Sequence, residues 1–217
     1  MKKILLAEKN KQYENCVFIN CPFDPQYEPL FHAAVFTIHD CGFTPRCALE
    51  ISNSAQNRLQ KIFEIISQCK YGVHDISRTE LDSKTKLPRF NMPLELGIFL
   101  GSQYFGSDEQ KTKVCLIMDK DKHDYRKSTS DISGQDIIAH GNSPEKIIKE
   151  IRDWLKTAAR QKNLPGGTKI YERYLEFQKH LPLFCKERHI KLNELIFVDF
   201  SDAVSIWLEV NPLYSNK

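Results

Sequence analysis

Several common sources of function are missing from this chain. It has no Gly-x-Gly-x-x-Gly and no phosphate loop of the ATPase kind, which argues against a Rossmann dehydrogenase and an ATPase. Its seven cysteines, at 16, 21, 41, 47, 69, 115 and 185, form no Cys-x-x-Cys pair. Their spacing fits no zinc site, so no metal is expected. An odd count with no predicted signal peptide reads as reduced thiols in a cytoplasmic protein, not as a disulfide frame. Met1-Lys2-Lys3-Ile4-Leu5-Leu6-Ala7 mimics a signal n-region, but charge resumes at Glu8 and Lys9. That apolar run is too short for secretion or for spanning a membrane, and no membrane partner is expected. Formal net charge is only +3, so no polyanion preference follows and nucleic acid is not an expected partner. No internal repeat or low-complexity tract is visible.

What is present is an ordinary globular composition, with 41% apolar and 27% charged residues over 217 positions. That length holds one domain plus a small appendage. Cys16 to Phe23 is a compact apolar run ending near Pro22, a strand buried on both faces. Tyr27, Leu30, Phe31, Ala34, Val35 and Ile38 then recur at helical spacing, closed by Gly42. Residues 43–50 read as a second strand, with Pro45 suggesting a sheet edge. Leu59, Ile62, Phe63, Ile66 and Cys69 make an amphipathic helix, and 71–76 a third strand. Residues 78–90 read as a polar, basic loop over the site. A helix over 92–104, a buried strand over 113–119, a charged loop over 120–135 and a fifth strand over 136–140 follow. Ser143-Pro144-Glu145 is a helix-start signature ahead of Ile147, Ile148, Ile151, Trp154 and Leu155.

This alternation predicts an α/β fold with a five-stranded, mostly parallel sheet, a flavodoxin-like sandwich, over residues 13–160. Asn163-Leu164-Pro165-Gly166-Gly167 is the linker to a helical C-terminal extension, 166–217. The extension carries Tyr171, Tyr174, Phe177, Phe184, Phe197, Phe200 and Trp207. So many large apolar groups need cover, from this domain or from a second copy in a homodimer.

One carboxylate stands out. In Arg89-Phe90-Asn91-Met92-Pro93-Leu94-Glu95-Leu96-Gly97, Glu95 interrupts an apolar run. Burying it is expensive unless it is paired or used. With Asn91 as cap and Pro93 in the first turn, Glu95 is expected in that turn, where the helix dipole favours an anion. Asp75 ends the third strand, and a strand-end Asp facing a helix-start Glu is how open α/β sheets build sites.

Five stretches, in order, resemble the nucleoside 2-deoxyribosyltransferase-like and TIR-like nucleotide-binding superfamily. They are Pro22-Phe23-Asp24 with Tyr27; Gly42 to Arg46; Asp75-Ile76-Ser77; Asn91 to Gly97; and Val114 to Asp119. The family's frequent Asn-Pro-Asn-Val-x-Tyr-Glu-Leu-Gly departs here: Glu-Leu-Gly survives, but Leu94 replaces the aromatic. The 78–88 insert is also longer than in compact members. The resemblance covers 16–119 and does not extend to 166–217.

The resemblance implies that Glu95 attacks the sugar C1′ or holds the ribose hydroxyls while an N-glycosidic bond breaks. Departure of the base leaves an oxocarbenium-like sugar that a carboxylate stabilises or traps. Asp75 is the candidate second group, orienting the sugar or protonating the base. Asn20, Pro22 and Phe23 are candidates for the base pocket, Arg46 for a phosphate or base edge, and Asn91 for substrate binding. The expected ligand is a nucleotide or nucleoside, with NAD as substrate and no bound cofactor. A role in antiphage immunity is the corresponding biology.

Plainer readings stand beside these. Glu95 is alternatively a dipole-compensating acid, Asp75 a turn cap, Arg46 the partner of Glu50, and Lys84, Lys86 and Arg89 a solvated loop. His74 points to the opposite face from Asp75 and reads as structural. Cys21 has no paired His, which argues against a thiol nucleophile. Three function classes remain: an N-glycosidase, a nucleotide sensor without turnover, and an assembly-forming interaction module.

Overall fold

The computed structural model describes residues 11–50, 53–78, 89–122, 130–132 and 134–213. The first seven residues, the 79–88 part of the expected loop over the site and most of 123–133 lie outside the described residues. Five strands, β1 (Cys16–Asn20), β2 (Thr44–Cys47), β3 (Tyr71–Asp75), β4 (Val114–Asp119) and β5 (Ile138–Ala139), form one sheet in the order β2-β1-β3-β4-β5. Every pairing is parallel. The expected mostly parallel sheet is thus wholly parallel, in the flavodoxin-like order whose switch point lies between β1 and β3. Pro45 sits on edge strand β2, where its missing N–H is tolerated.

The helices are α1 (Glu28–Asp40), α2 (Arg58–Ser67), α3 (Asn91–Phe105), α4 (Pro144–Ala158), α5 (Gly167–Glu187) and α6 (Phe197–Val210). Strand alternation sorts the core into two sides. Val17, Ile19, Tyr71, Val73, Leu116 and Met118 face α1 and α4. Cys16 and Phe18 face Ile62, Ile65, Ile66, Cys69 and Phe99 of the α2–α3 side. In α2, Ile62, Ile65 and Ile66 are buried, whereas Leu59 and Phe63, expected on the inner stripe, are exposed. Gly72 makes room on this side: a Cβ there would meet His74 Nε2 at 2.6 Å and the Phe99 ring at 2.9 Å.

Lys113 is buried one residue before β4. Its ammonium donates to the Ile66 carbonyl at 2.6 Å and to the Cys69 carbonyl, capping the end of α2. It also lies 4.6 Å from the centre of the Phe99 ring. Burial pulls its pKa down to about 8.

The C-terminal extension continues the α1–α4 side of the core. Tyr174, Phe177, Phe200 and Trp207 are buried together with Phe36 of α1. Arg173 holds the buried Asp40 carboxylate at 2.9–3.2 Å and donates to the Asn211 carbonyl at 2.9 Å. His39 meets Ser201 Oγ at 2.8 Å. These four aromatics of the stripe are therefore covered by their own chain, while Tyr171 and Phe184 are only partly buried. Among the described residues, no helix is long and apolar enough to cross a membrane.

Candidate functional site

The site begins where β1 leaves the sheet. The apolar run continues to Phe23, but pairing stops at Asn20 because Pro22 offers no N–H to a ladder. Asp24 Oδ1 then accepts from the N–H groups of Gln26 and Tyr27, each at 3.2 Å, closing the turn into α1. Arg78 and Arg89 pair with the same carboxylate at 3.4 and 3.3 Å.

Asn20, buried at the end of β1, ties three elements together. Its Nδ2 donates to the Met92 carbonyl at 2.8 Å and to His74 Nδ1 at 3.1 Å. His74 Nδ1 is therefore the acceptor and Nε2 carries the proton. Among the described residues that Nε2 has no hydrogen-bond partner, and it lies against Phe99, whose ring meets the imidazole edge-on at 4.8 Å. Burial first, and the Lys113 charge second, lower the His74 pKa to about 3. His74 is a neutral, structural residue, as its place opposite Asp75 predicted.

The two acids expected to face one crevice have different surroundings. Asp75 is wholly buried, and both its oxygens are engaged. Oδ1 accepts from the Ser77 N–H at 2.8 Å, and Oδ2 accepts from the Tyr27 hydroxyl and lies 2.9 Å from His140 Nε2. Asn142 donates its N–H to His140 Nδ1 at 3.1 Å, which places the imidazole proton on Nε2, toward Asp75. Burial, with the Asp75 charge next, pushes the Tyr27 phenol well above its ordinary pKa. This network joins α1, β3 and the end of β5, and Asp75 does not line the Glu95 cavity.

Glu95 has no such partners. It is 5% exposed, while its neighbour Leu94 is 54% exposed. The helix thus turns a leucine to water and a carboxylate inward, the reverse of what packing alone selects. No hydrogen bond to Glu95 is made among the described residues. Burial raises its pKa to about 7, with Arg58 opposing. The expected first-turn placement needs correction. The helix opens at Asn91, its preceding residue Phe90 makes no side-chain cap, and no acid lies in the first turn. Glu95 is one residue too deep for the dipole to hold its pKa down, and Asn91 is a helical residue rather than the cap.

Glu95 lines a cavity of about 180 Å³ with Asn20, Cys21, Pro22, Phe23, Arg58, Arg89, Asn91 and Met92. Five expected residues, Asn20, Pro22, Phe23, Asn91 and Glu95, are therefore brought together. Arg46 is not among them. Its guanidinium grips Glu50 at 2.5–2.9 Å and reaches Gln68 at 3.2 Å, so the partner four residues on wins over a ligand role. Burial pushes the Cys21 thiol well up, which agrees with the exclusion of a thiol nucleophile. Of the basic run, only Arg89 falls within the described residues.

Sequence reasoning missed Arg58. Asn57 caps α2 by accepting from Leu59 N–H at 2.8 Å, so Arg58 is the first helical residue. A cation at a helix N-terminus opposes the dipole, and that misplaced charge was the readable signal. With burial leaving Glu95 only about half ionised near pH 7, Arg58 and Arg89 give the cavity a positive character suited to an anionic group beside a small polar ring. Among the described residues, no group of three or more His, Cys, Asp or Glu is arranged to hold a metal ion. No family model, characterised protein or solved structure matches this chain.

Proposed function

We propose that the Glu95 cavity receives the sugar of a nucleoside or nucleotide, and that the protein cleaves its N-glycosidic bond, with NAD or a related nucleotide as substrate. The observation that carries this reading is the buried Glu95 carboxylate, without a hydrogen-bond partner among the described residues and turned inward while Leu94 faces water. Open α/β sheets bind ligands at the strand ends beside the switch point, and Asn20 and the start of α3 lie there. The ionised carboxylate stabilises or traps C1′ as the base leaves with the bonding electrons, and water or an acceptor then takes the sugar. Asn20 and Asn91 line the cavity and are placed to orient hydroxyls. Arg58 and Arg89 supply charge for a phosphate. Depletion of NAD by this chemistry is a role suited to antiphage immunity.

A second reading is favoured by one fact: Asp75, the expected second acid, is committed to Tyr27, His140 and Ser77. A site with one acid can bind a nucleotide without turning it over. Incubation with NAD and with nucleosides, followed by chromatography for free base, separates the two. Base release lost ~10²-fold or more in Glu95→Gln supports the glycosidase. Thermal stabilisation by nucleotide with no base released supports the sensor.

A further inference from the structure

A second cavity, of about 500 Å³, lies beside the first, and the two share Pro22 and Phe23 as a common wall. One side is built by Phe23 and Phe31, whose rings meet edge-on at 5.3 Å. The other side comes from the C-terminal extension: Leu195 and Ile196 in the α5–α6 connection and Phe197 at the start of α6. The Phe197 ring lies 5.8 Å from that of Phe31, so the extension completes an aromatic wall. Ile196 is 62% exposed and Phe23 36% exposed, which leaves apolar groups in water at this cavity.

The volumes divide the work. The Glu95 cavity has room for a small ring but not for a whole nucleotide, while 500 Å³ falls in the range of ordinary organic-ligand pockets. The polar groups on the larger cavity are selective. Glu28 is half-exposed, and His32 Nε2 lies 3.9 Å from its carboxylate, beyond hydrogen-bond reach. His32 stacks on Phe200 at 3.8 Å, and burial keeps it neutral above about pH 4. Asn193 adds an amide. Asp24 is already held by Arg78 and Arg89. Among the described residues, the rim therefore offers a free carboxylate acceptor and no uncommitted cation.

We infer that the C-terminal extension and the β1–α1 loop together form a ring subsite for a planar heteroaromatic group bearing an amino or carboxamide substituent, attached to the sugar in the Glu95 cavity. The aromatic wall supplies stacking and edge contacts. Glu28 accepts from the exocyclic N–H and repels a ring carboxylate. The sugar half of this assignment rests on the reading proposed above.

Calorimetric titration with separate fragments tests the two halves independently. The probes are nicotinamide, adenine, nicotinate and ribose 5-phosphate. Nicotinamide or adenine binds the 217-residue chain, and nicotinate binds about tenfold more weakly or worse. Ile196→Asp, at an exposed position, keeps the melting temperature and weakens the heterocycles about tenfold while leaving ribose 5-phosphate unchanged. Glu28→Lys reverses the preference between nicotinamide and nicotinate. Failure of every heterocycle to bind, or heterocycle binding indifferent to both substitutions, overturns the subsite. Heterocycles that bind and respond, with no ribose 5-phosphate binding, leave the ring subsite standing and remove the sugar reading of the Glu95 cavity.

Discussion

Asn20 at the end of β1 donates its side-chain amide to the Met92 carbonyl in the first turn of α3, at 2.8 Å. This bond fixes where the Glu95 helix begins relative to the switch point of the sheet. The same Nδ2 reaches His74 Nδ1 at 3.1 Å, so both donor hydrogens are used inside the protein. Asn20 is thus both a wall of the cavity and the clasp that holds the opposite wall in place.

Asn20→Asp tests the clasp. The change keeps size but sets a carboxylate against a carbonyl oxygen and an imidazole lone pair. The expected result is a loss of about 2–4 kcal/mol, because a buried donor is replaced by an unpaired charge. Chemical denaturation would measure it. Stability equal to wild type would show that the Asn20–Met92 bond does not hold α3.

Glu95→Gln has an opposite signature. The Glu95 pKa is raised from 4.5 to about 7 by burial, so the folded state binds this proton more tightly than the unfolded chain. The stability linked to this group is fully present below about pH 4.5 and is lost as pH rises through about 7. Glutamine has no such titration. At pH 8 the variant should be more stable than wild type by on the order of 2 kcal/mol, with the gap closing toward pH 4. Base release by the wild type, which needs the ionised carboxylate, should rise through pH 7. A pH-independent gap in melting temperature would contradict a buried, unpaired Glu95.

Asp75→Asn separates the two acids. Asp75 accepts from the Tyr27 hydroxyl, the Ser77 N–H and His140 Nε2, and loss of its charge breaks a buried network joining three elements. The fold should lose about 3–5 kcal/mol, with Tyr27→Phe losing about 1–2 kcal/mol. Any ligand affinity that survives at low temperature should be within a few-fold of wild type. Wild-type stability with abolished base release would restore Asp75 as a catalytic acid.

Much of this was legible in the chain. Compact apolar runs marked β1, β3 and β4, and the helical spacing of Leu30, Phe31, Ala34 and Ile38 marked α1. Hydropathy reports burial rather than pairing, so β1 was expected to reach Phe23, whereas Cys21 is buried beyond the last sheet hydrogen bond. Glu95 was legible because a carboxylate in an apolar run needs an explanation. The commitment of Asp75 was not, because its partner His140 comes from the far end of another strand. The Arg46–Glu50 pair was visible at four-residue spacing, and local pairing was the stronger claim.

The extension gives the last prediction. Phe36 of α1 lies 5.5 Å from Tyr174, 5.4 Å from Phe177 and 5.9 Å from Trp207, measured between ring centres. Truncation after Lys162 uncovers Phe36 and removes the Arg173 that neutralises Asp40. Each large apolar side chain left in water forfeits roughly 1.5–3 kcal/mol, so a few together match the whole stability of a domain this size. The truncated chain should aggregate or lose its cooperative melting transition. Phe36→Ala in the full chain should cost about 3–5 kcal/mol, while Leu183→Asp, at a position on α5 that is 54% exposed, should stay within about 0.5 kcal/mol of wild type. Calorimetry and light scattering on the three proteins would decide. A soluble truncated chain with an unchanged melting temperature would show that α5 and α6 add nothing to the core, and with it would go the claim that they hold Phe197 against Phe31.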